Sequence, residues 1–177
     1  MKIYAVSGHA QHGKDTVASM MQKKLSNDGH RVLVAHYADL LKYICMTFFG
    51  WDGNKDEKGR HILQYVGTDV VRKENPDFWV DFIISILNLF GDAWDYVIIP
   101  DTRFPNEIEK LRREGFDVKH IQVVRPGFVG TLTDAQKAHP SETALDNVKP
   151  DYCLVNCGDL TSLESLVNQY IKENIYG

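Results

Sequence analysis

Ser7-Gly8-His9-Ala10-Gln11-His12-Gly13-Lys14-Asp15-Thr16 follows the apolar run Ile3-Tyr4-Ala5-Val6 and opens a stretch with helical spacing. A strand, a glycine-rich turn and a helix start in that order read as a phosphate-binding loop. Successive backbone N–H groups surround a polyphosphate there, and a lysine neutralises its outer charge. Gly8, Gly13 and Lys14 fit the spacing G-x-x-x-x-G-K-[ST], but Asp15 stands where the magnesium-binding Ser or Thr belongs.

Outward from this loop, the chain alternates strands and helices. Val17, Met20, Met21 and Leu25 recur at helical spacing between Gly13 and Asp28, and Gly29 supplies a stop. Arg31 to His36 reads as a second strand, parallel to the first in one sheet. Residues 37–92 form a helical insertion: Tyr37 to Phe49 with Leu40, Leu41, Ile44 and Phe48 on one face, then Arg60 to Glu74 interrupted by Gly67-Thr68. A further helix runs from a cap at Asp77 to Phe90. Tyr96 to Ile99 is the third strand and delivers Pro100-Asp101-Thr102-Arg103-Phe104-Pro105, with Pro105 in the first turn of a helix that holds Ile108 and Leu111 inward. Val118 to Val124 and Tyr152 to Val155 are strands four and five. The segment 125–146 has no sustained period and reads as a lid-like loop, while Thr161 and Glu164 predict a capping box for the last helix. One α/β domain over 1–177 follows, a five-stranded parallel sheet flanked by helices.

The totals narrow the function. A chain of 177 residues buries a core without staples, and a net charge of −4 argues against a nucleic-acid polymer as partner. Any anion must be held by a local site. Three cysteines without metal or disulfide spacing suit a reducing cytoplasm, and no apolar stretch is long enough to span a membrane. His9 and His12 lie inside the loop and read as loop-shaping or phosphate-facing groups.

Two anchors now meet: a phosphate loop after strand one and Asp-x-Arg after strand three, both directed to the crevice where open α/β sheets bind ligands. Phosphoryl transfer requires a metal on the donor phosphates, a cation over the γ-phosphate and a cationic grip on the acceptor. Lys14 supplies the second and Arg103 is a candidate for the third; Asp15, Thr16 and Asp101 are hard oxygen groups suited to magnesium. For Asp15 the alternative is a helix-dipole role. Arg60 and Gln64 share one helix face and Arg72 lies near it, so they can hold a monophosphate and read a base edge, or form a solvated surface.

The chain resembles the deoxynucleoside monophosphate kinases of tailed phages and bacterial relatives. The resemblance rests on Gly13-Lys14-Asp15-Thr16-Val17-Ala18, Tyr37-Ala38-Asp39-Leu40-Leu41-Lys42, Leu63-Gln64-Tyr65-Val66-Gly67-Thr68 with Arg72 and Trp79, Asp101-Thr102-Arg103-Phe104-Pro105-Asn106-Glu107, and His139-Pro140-Ser141-Glu142. It implies a P-loop nucleoside monophosphate kinase-like fold with a helical acceptor-binding insert and a lid. It also implies transfer of the ATP γ-phosphate to a deoxynucleoside 5′-monophosphate with Mg2+, in the cytoplasm, which for a phage protein is the host's. By position, Gly8, Gly13, Lys14, Asp15 and Thr16 meet the donor phosphates and Arg125, Asn156 and Gly158 lie near the donor nucleotide. Lys42, Arg60, Gln64, Arg72 and Arg103 meet the acceptor, and Asp101 joins Lys14 and Arg103 at the reacting centre. A homodimer is left open.

After Arg125 the lid-like loop carries no second arginine, so Arg125, Lys137 and a protonated His139 stand as alternatives for the cation covering the transition state. Phosphomevalonate kinase of animal type is similar at Gly-Lys-Asp and Asp-Thr-Arg, and is the nearest alternative. A nucleotide-gated binding module is the alternative from another class, and it leaves Arg60, Gln64, Arg72 and Arg103 without a purpose.

Overall fold

The computed structural model describes residues 1–177. Strands β1 (Lys2–Ser7), β2 (Val32–Val34), β3 (Tyr96–Ile99), β4 (Asp117–Val124) and β5 (Tyr152–Val155) pair in the order β2-β3-β1-β4-β5, all parallel. Such a sheet must be covered on both faces, and the strands are written for it. Ile3, Ala5, Val97 and Ile99 point into one apolar layer and Tyr4, Val6, Ile98, Ile121 and Val123 into the other. Helices α1 (Lys14–Asn27) and α8 (Leu160–Asn174) cover the second layer through Val17, Met21, Leu25, Val167 and Ile171. The first is covered by α4 (Phe78–Leu89) and α5 (Pro105–Arg113), through Trp79, Ile83, Leu87, Ile108 and Leu111.

Between β2 and β3 the insertion is helical. It consists of α2 (Tyr37–Phe48), α3 (Glu57–Gln64), a π-helix over Tyr65–Arg72 and then α4. Gly67 sits inside the π-helix because the chain passes so close to α2 that a Cβ there would lie 2.7 Å from Leu41 Cδ2. Its carbonyl accepts the Trp79 indole N–H at 3.0 Å, so the irregular turn is tied to the core. Two short helices, α6 (Asp134–Lys137) and α7 (Pro140–Thr143), interrupt the segment 125–146.

Three local expectations are corrected. Phe48 is 71% exposed; Gly50 reverses the chain and brings Trp51 back with its N–H on the Cys45 carbonyl at 3.1 Å, so Cys45, Trp51 and Val66 form a small core of their own. Asp77 stands at the start of α4 without capping it, because its carboxylate accepts from Asn106 and Lys110 on α5. Helix α8 is capped by Asp159, whose side chain accepts the Ser162 N–H at 2.8 Å, and not by Thr161.

Beneath the phosphate loop, Ser7 Oγ and His120 Nε2 share a buried 2.7 Å hydrogen bond between β1 and β4. Burial holds the His120 pKa below its ordinary value, opposed by Asp151. The folded protein therefore binds fewer protons at this ring than the unfolded chain does. The resulting stability is present above the unfolded value of about 6.5 and is lost as pH falls below it. Stability of the wild type to urea is expected to fall from pH 7.5 to 5.5, and that of His120→Gln to fall less; comparing the two chains separates this ring from the other histidines. Gly8 at φ 140 would place a Cβ 2.2 Å from the Val123 carbonyl oxygen, whereas Gly29 at φ 92 has nothing within 4 Å. Gly8→Ala should accordingly cost more than the ~1–3 kcal/mol of backbone strain that alone burdens Gly29→Ala, as read by chemical denaturation.

Candidate functional site

The loop leaves the carboxyl end of β1 and turns into α1 through Gly13 at φ 102. Lys14 folds back so that Nζ donates to the His9 carbonyl at 2.9 Å. Only 9% exposed, it is held at a pKa of about 8, first by burial and then by the nearby charge of Arg103. Strands β4 and β5 brace the loop from behind. Asn156 Nδ2 donates to the His12 carbonyl at 3.0 Å, and His12 Nδ1 accepts the Arg125 N–H at 3.2 Å. The Arg125 guanidinium lies over the Phe128 ring. Gly158 is not at the loop surface by any contact of its own; it packs against Ser162 at the start of α8, where a Cβ would meet that side chain at 2.7 Å.

Asp15 and Thr16 occupy the first turn of α1. The Asp15 carboxylate is 84% exposed and faces His36 Nε2 at 3.6 Å. This neighbour holds Asp15 below the usual carboxylate range and raises the imidazole in turn. Asp101 lies across the crevice, where its two oxygens accept the N–H groups of Tyr37 at 3.1 Å and Ala38 at 2.9 Å and so fix the start of α2. Burial nevertheless pushes the Asp101 pKa up.

Beside the loop, a cavity of about 170 Å³ is walled by α2, α3, the π-helix and the turn after β3. Lys42, Arg60, Gln64, Arg72, Asp101 and Arg103 all line it. These six come from four separate segments, which only the folded chain brings together. Trp79 lines it too, while its indole is fixed in the core; Trp51 is core and Tyr65 is half exposed.

Three of the cations in this cavity, Lys42, Arg72 and Arg103, are held in place by carboxylates. Glu107, 1% exposed, accepts the N–H groups of Arg103 at 2.7 Å and Phe104 at 3.0 Å and pairs with the Arg72 guanidinium, which also stacks 3.9 Å over Phe104. Lys42 pairs with Asp39 at 2.8 Å. Lys55 and Arg60 line the cavity without an ion-pair partner. Lys55 lies in a polar turn that gave no signal in the sequence. Glu107 was legible as the third residue of a helix that begins with Pro105, the position from which a carboxylate reaches back to the N-cap amide. Among the lid cations, Lys137 is exposed and pairs with Asp134.

A magnesium ion fits this donor set only in company with phosphates. No three His, Cys, Asp or Glu side chains gather to cage a metal, and Asp101 has committed one lone pair of each oxygen to α2. The exposed Asp15 carboxylate is free to take an ion through its waters, which suits a cation bound by one or two carboxylates plus substrate oxygens.

A family described as deoxynucleotide monophosphate kinase matches residues 43–167. The chain is 33% identical over 115 residues to the deoxynucleotide monophosphate kinase of Enterobacteria phage T4, covering 64% of this chain and 45% of that protein. For the same kinase of Escherichia phage RB69 the identity is 31% over 115 residues, covering 64% and 44%. The chain thus spans less than half the length of these two curated relatives. Among solved structures, the APS kinase of Mycobacterium tuberculosis in complex with AMPPNP and APS has a TM-score of 0.54 at 15% identity, covering 97% of this chain and 98% of that one. That likeness shows a shared P-loop kinase fold. With the match running over 43–167, from α2 through β5 into α8, the chain belongs to the deoxynucleotide monophosphate kinase family.

Proposed function

We propose that the chain is an enzyme that transfers the γ-phosphate of ATP to the 5′-phosphate of a deoxynucleoside monophosphate. The observation that carries this reading is the convergence of Arg60, Arg72, Arg103, Lys42 and Gln64 on one cavity beside the phosphate loop. A nucleotide-gated module needs no such acceptor cavity, and the family match favours a deoxynucleotide over a phosphomevalonate acceptor.

In this reading the loop amides and Lys14 hold the donor phosphates, Asp15 and Thr16 face the ion that accompanies them, and Arg125 and Asn156 keep the loop in shape. Gly158 lets the β5 turn approach α8 beside the donor site. Magnesium, when bound, neutralises charge on the donor phosphates. Arg103 and Arg72 grip the acceptor phosphate, Arg60 and Lys42 add charge at the cavity wall, and Gln64 offers one donor and one acceptor to the base. Asp101 positions the start of α2 and faces Lys14 across the crevice. The reaction asks little covalent chemistry of the protein, so positioning and charge carry it. Segment 125–146 acts as the lid, and the unpaired Lys55 joins Arg125 as a cation available to the transferring group.

The direct test supplies the chain with magnesium-ATP and a panel of deoxynucleoside monophosphates and follows ADP; the reading fails if none raises ADP formation above the acceptor-free rate. Lys14→Ala should lower kcat by about 10²-fold or more, the size of loss typical for a donor aimed at developing charge. Arg60→Ala should raise the acceptor KM about tenfold, the worth of a hydrogen bond to a charged group, and leave the KM for ATP unchanged in steady-state kinetics.

A further inference from the structure

His139-Pro140-Ser141-Glu142 begins α7: His139 Nδ1 accepts the Ser141 N–H at 3.2 Å and Pro140 takes the first helical position. This turn is pressed into the crevice, and the Glu142 side chain is only 7% exposed. One of its oxygens, Oε2, accepts the Ala10 N–H of the phosphate loop at 2.9 Å. The other, Oε1, pairs with Arg103 Nη1, which also donates to the Ser141 carbonyl at 3.0 Å. A loop amide and a cavity arginine are the two kinds of group that a phosphate oxygen would seek here, and a carboxylate holds both.

We propose that Glu142 is a built-in surrogate for substrate phosphate, seated between the Ala10 N–H and Arg103 in the free protein and displaced by nucleotide. This rests on the reading of the loop and cavity as phosphate sites. Without Glu142, the part-exposed Arg103 would lose its ion-pair partner beside the buried Lys14, whose like charge it opposes. Glu142 supplies one negative charge. A nucleotide phosphate brings more, so it competes for the same two partners and wins. The exchange also loosens the lid, whose other polar ties to the loop are the Arg125 N–H on His12 Nδ1 at 3.2 Å, the Thr131 N–H on Gln11 Oε1 at 3.1 Å and the half-exposed pair of His9 with Asp146 at 3.3 Å. Exposed pairs of that last kind contribute little, so Glu142 carries the buried polar tie between this turn and the loop, alongside Leu145, which anchors the segment in the core. A role as general base has no task here, since the attacking oxygen of a monophosphate is already anionic.

The surrogate reading predicts a sign that a catalytic reading does not: removing the charge tightens binding. Calorimetry of the full chain would measure ATP without acceptor, and deoxynucleoside monophosphate without ATP, on wild type, Glu142→Gln and Glu142→Asp. Glu142→Gln is expected to bind about tenfold more tightly than wild type, because the self-occupied fraction no longer reduces apparent affinity. Glu142→Asp, shorter by one methylene and unable to span both partners, should fall between them and guards against misfolding of the first variant. Equal or weaker binding by folded variants, with wild type binding ATP, overturns the surrogate and leaves the kinase reading intact. If wild type binds neither nucleotide, the phosphate sites themselves are wrong and the surrogate falls with them.

Discussion

The parallel pairing of β1 with β3 is the constraint on which the rest depends. Ala5 stands opposite Ile99, so the two chains leave the sheet side by side, one as the glycine-rich loop and the other as Asp101-Thr102-Arg103. Chain connections run from β1 across to β2 on one side, and from β3 across to β4 on the other, which makes the carboxyl ends of these central strands the natural ligand crevice. Both strands are apolar on both faces, and a one-residue slip would carry Ile3, Ala5, Val97 and Ile99 out of the layer in which they pack. The crevice thereby inherits its rigidity from the core.

Charge is managed in that crevice by three carboxylates, each with a backbone task as well as an electrostatic one. Asp101 fixes the start of α2, Glu107 holds the turn after β3 together with Arg72, and Glu142 bridges the phosphate loop to Arg103. Buried ions are tolerable only when paired or hydrogen-bonded: Glu107 and Glu142 are both, and Asp101 is held by two backbone N–H groups. The cations left without a partner, Lys55 and Arg60, lie in the cavity wall formed by the insertion.

Much of this was legible beforehand, for reasons that differ by element. The loop reads from local chemistry: positive-φ glycines at 8 and 13 and a lysine next to a helix start have few other uses. The strands read from their apolar runs, and Pro105 marks the start of α5 by its fixed φ. Helix caps were harder, because several side chains compete for one amide. Asp159 takes the start of α8 in place of Thr161, and Asp77 turns from α4 to Asn106 and Lys110, a choice made by neighbours remote in sequence. Phe48 fits an apolar helical spacing but is exposed, because the reversal at Gly50 gives its place to Trp51.

The sequence by itself determined the sheet and the phosphate loop, and it marked Arg and Gln side chains whose chemistry suits a nucleotide, since these follow from periodicity and from the fixed chemistry of Gly, Lys, Arg and Gln. Only the tertiary structure decided who holds whom. Lys55 entering the cavity, Glu107 binding Arg72 and Glu142 reaching from position 142 to position 10 are contacts across long separations. No local pattern encodes such contacts; they exist because burial forces each charged group to find a counter-charge within reach.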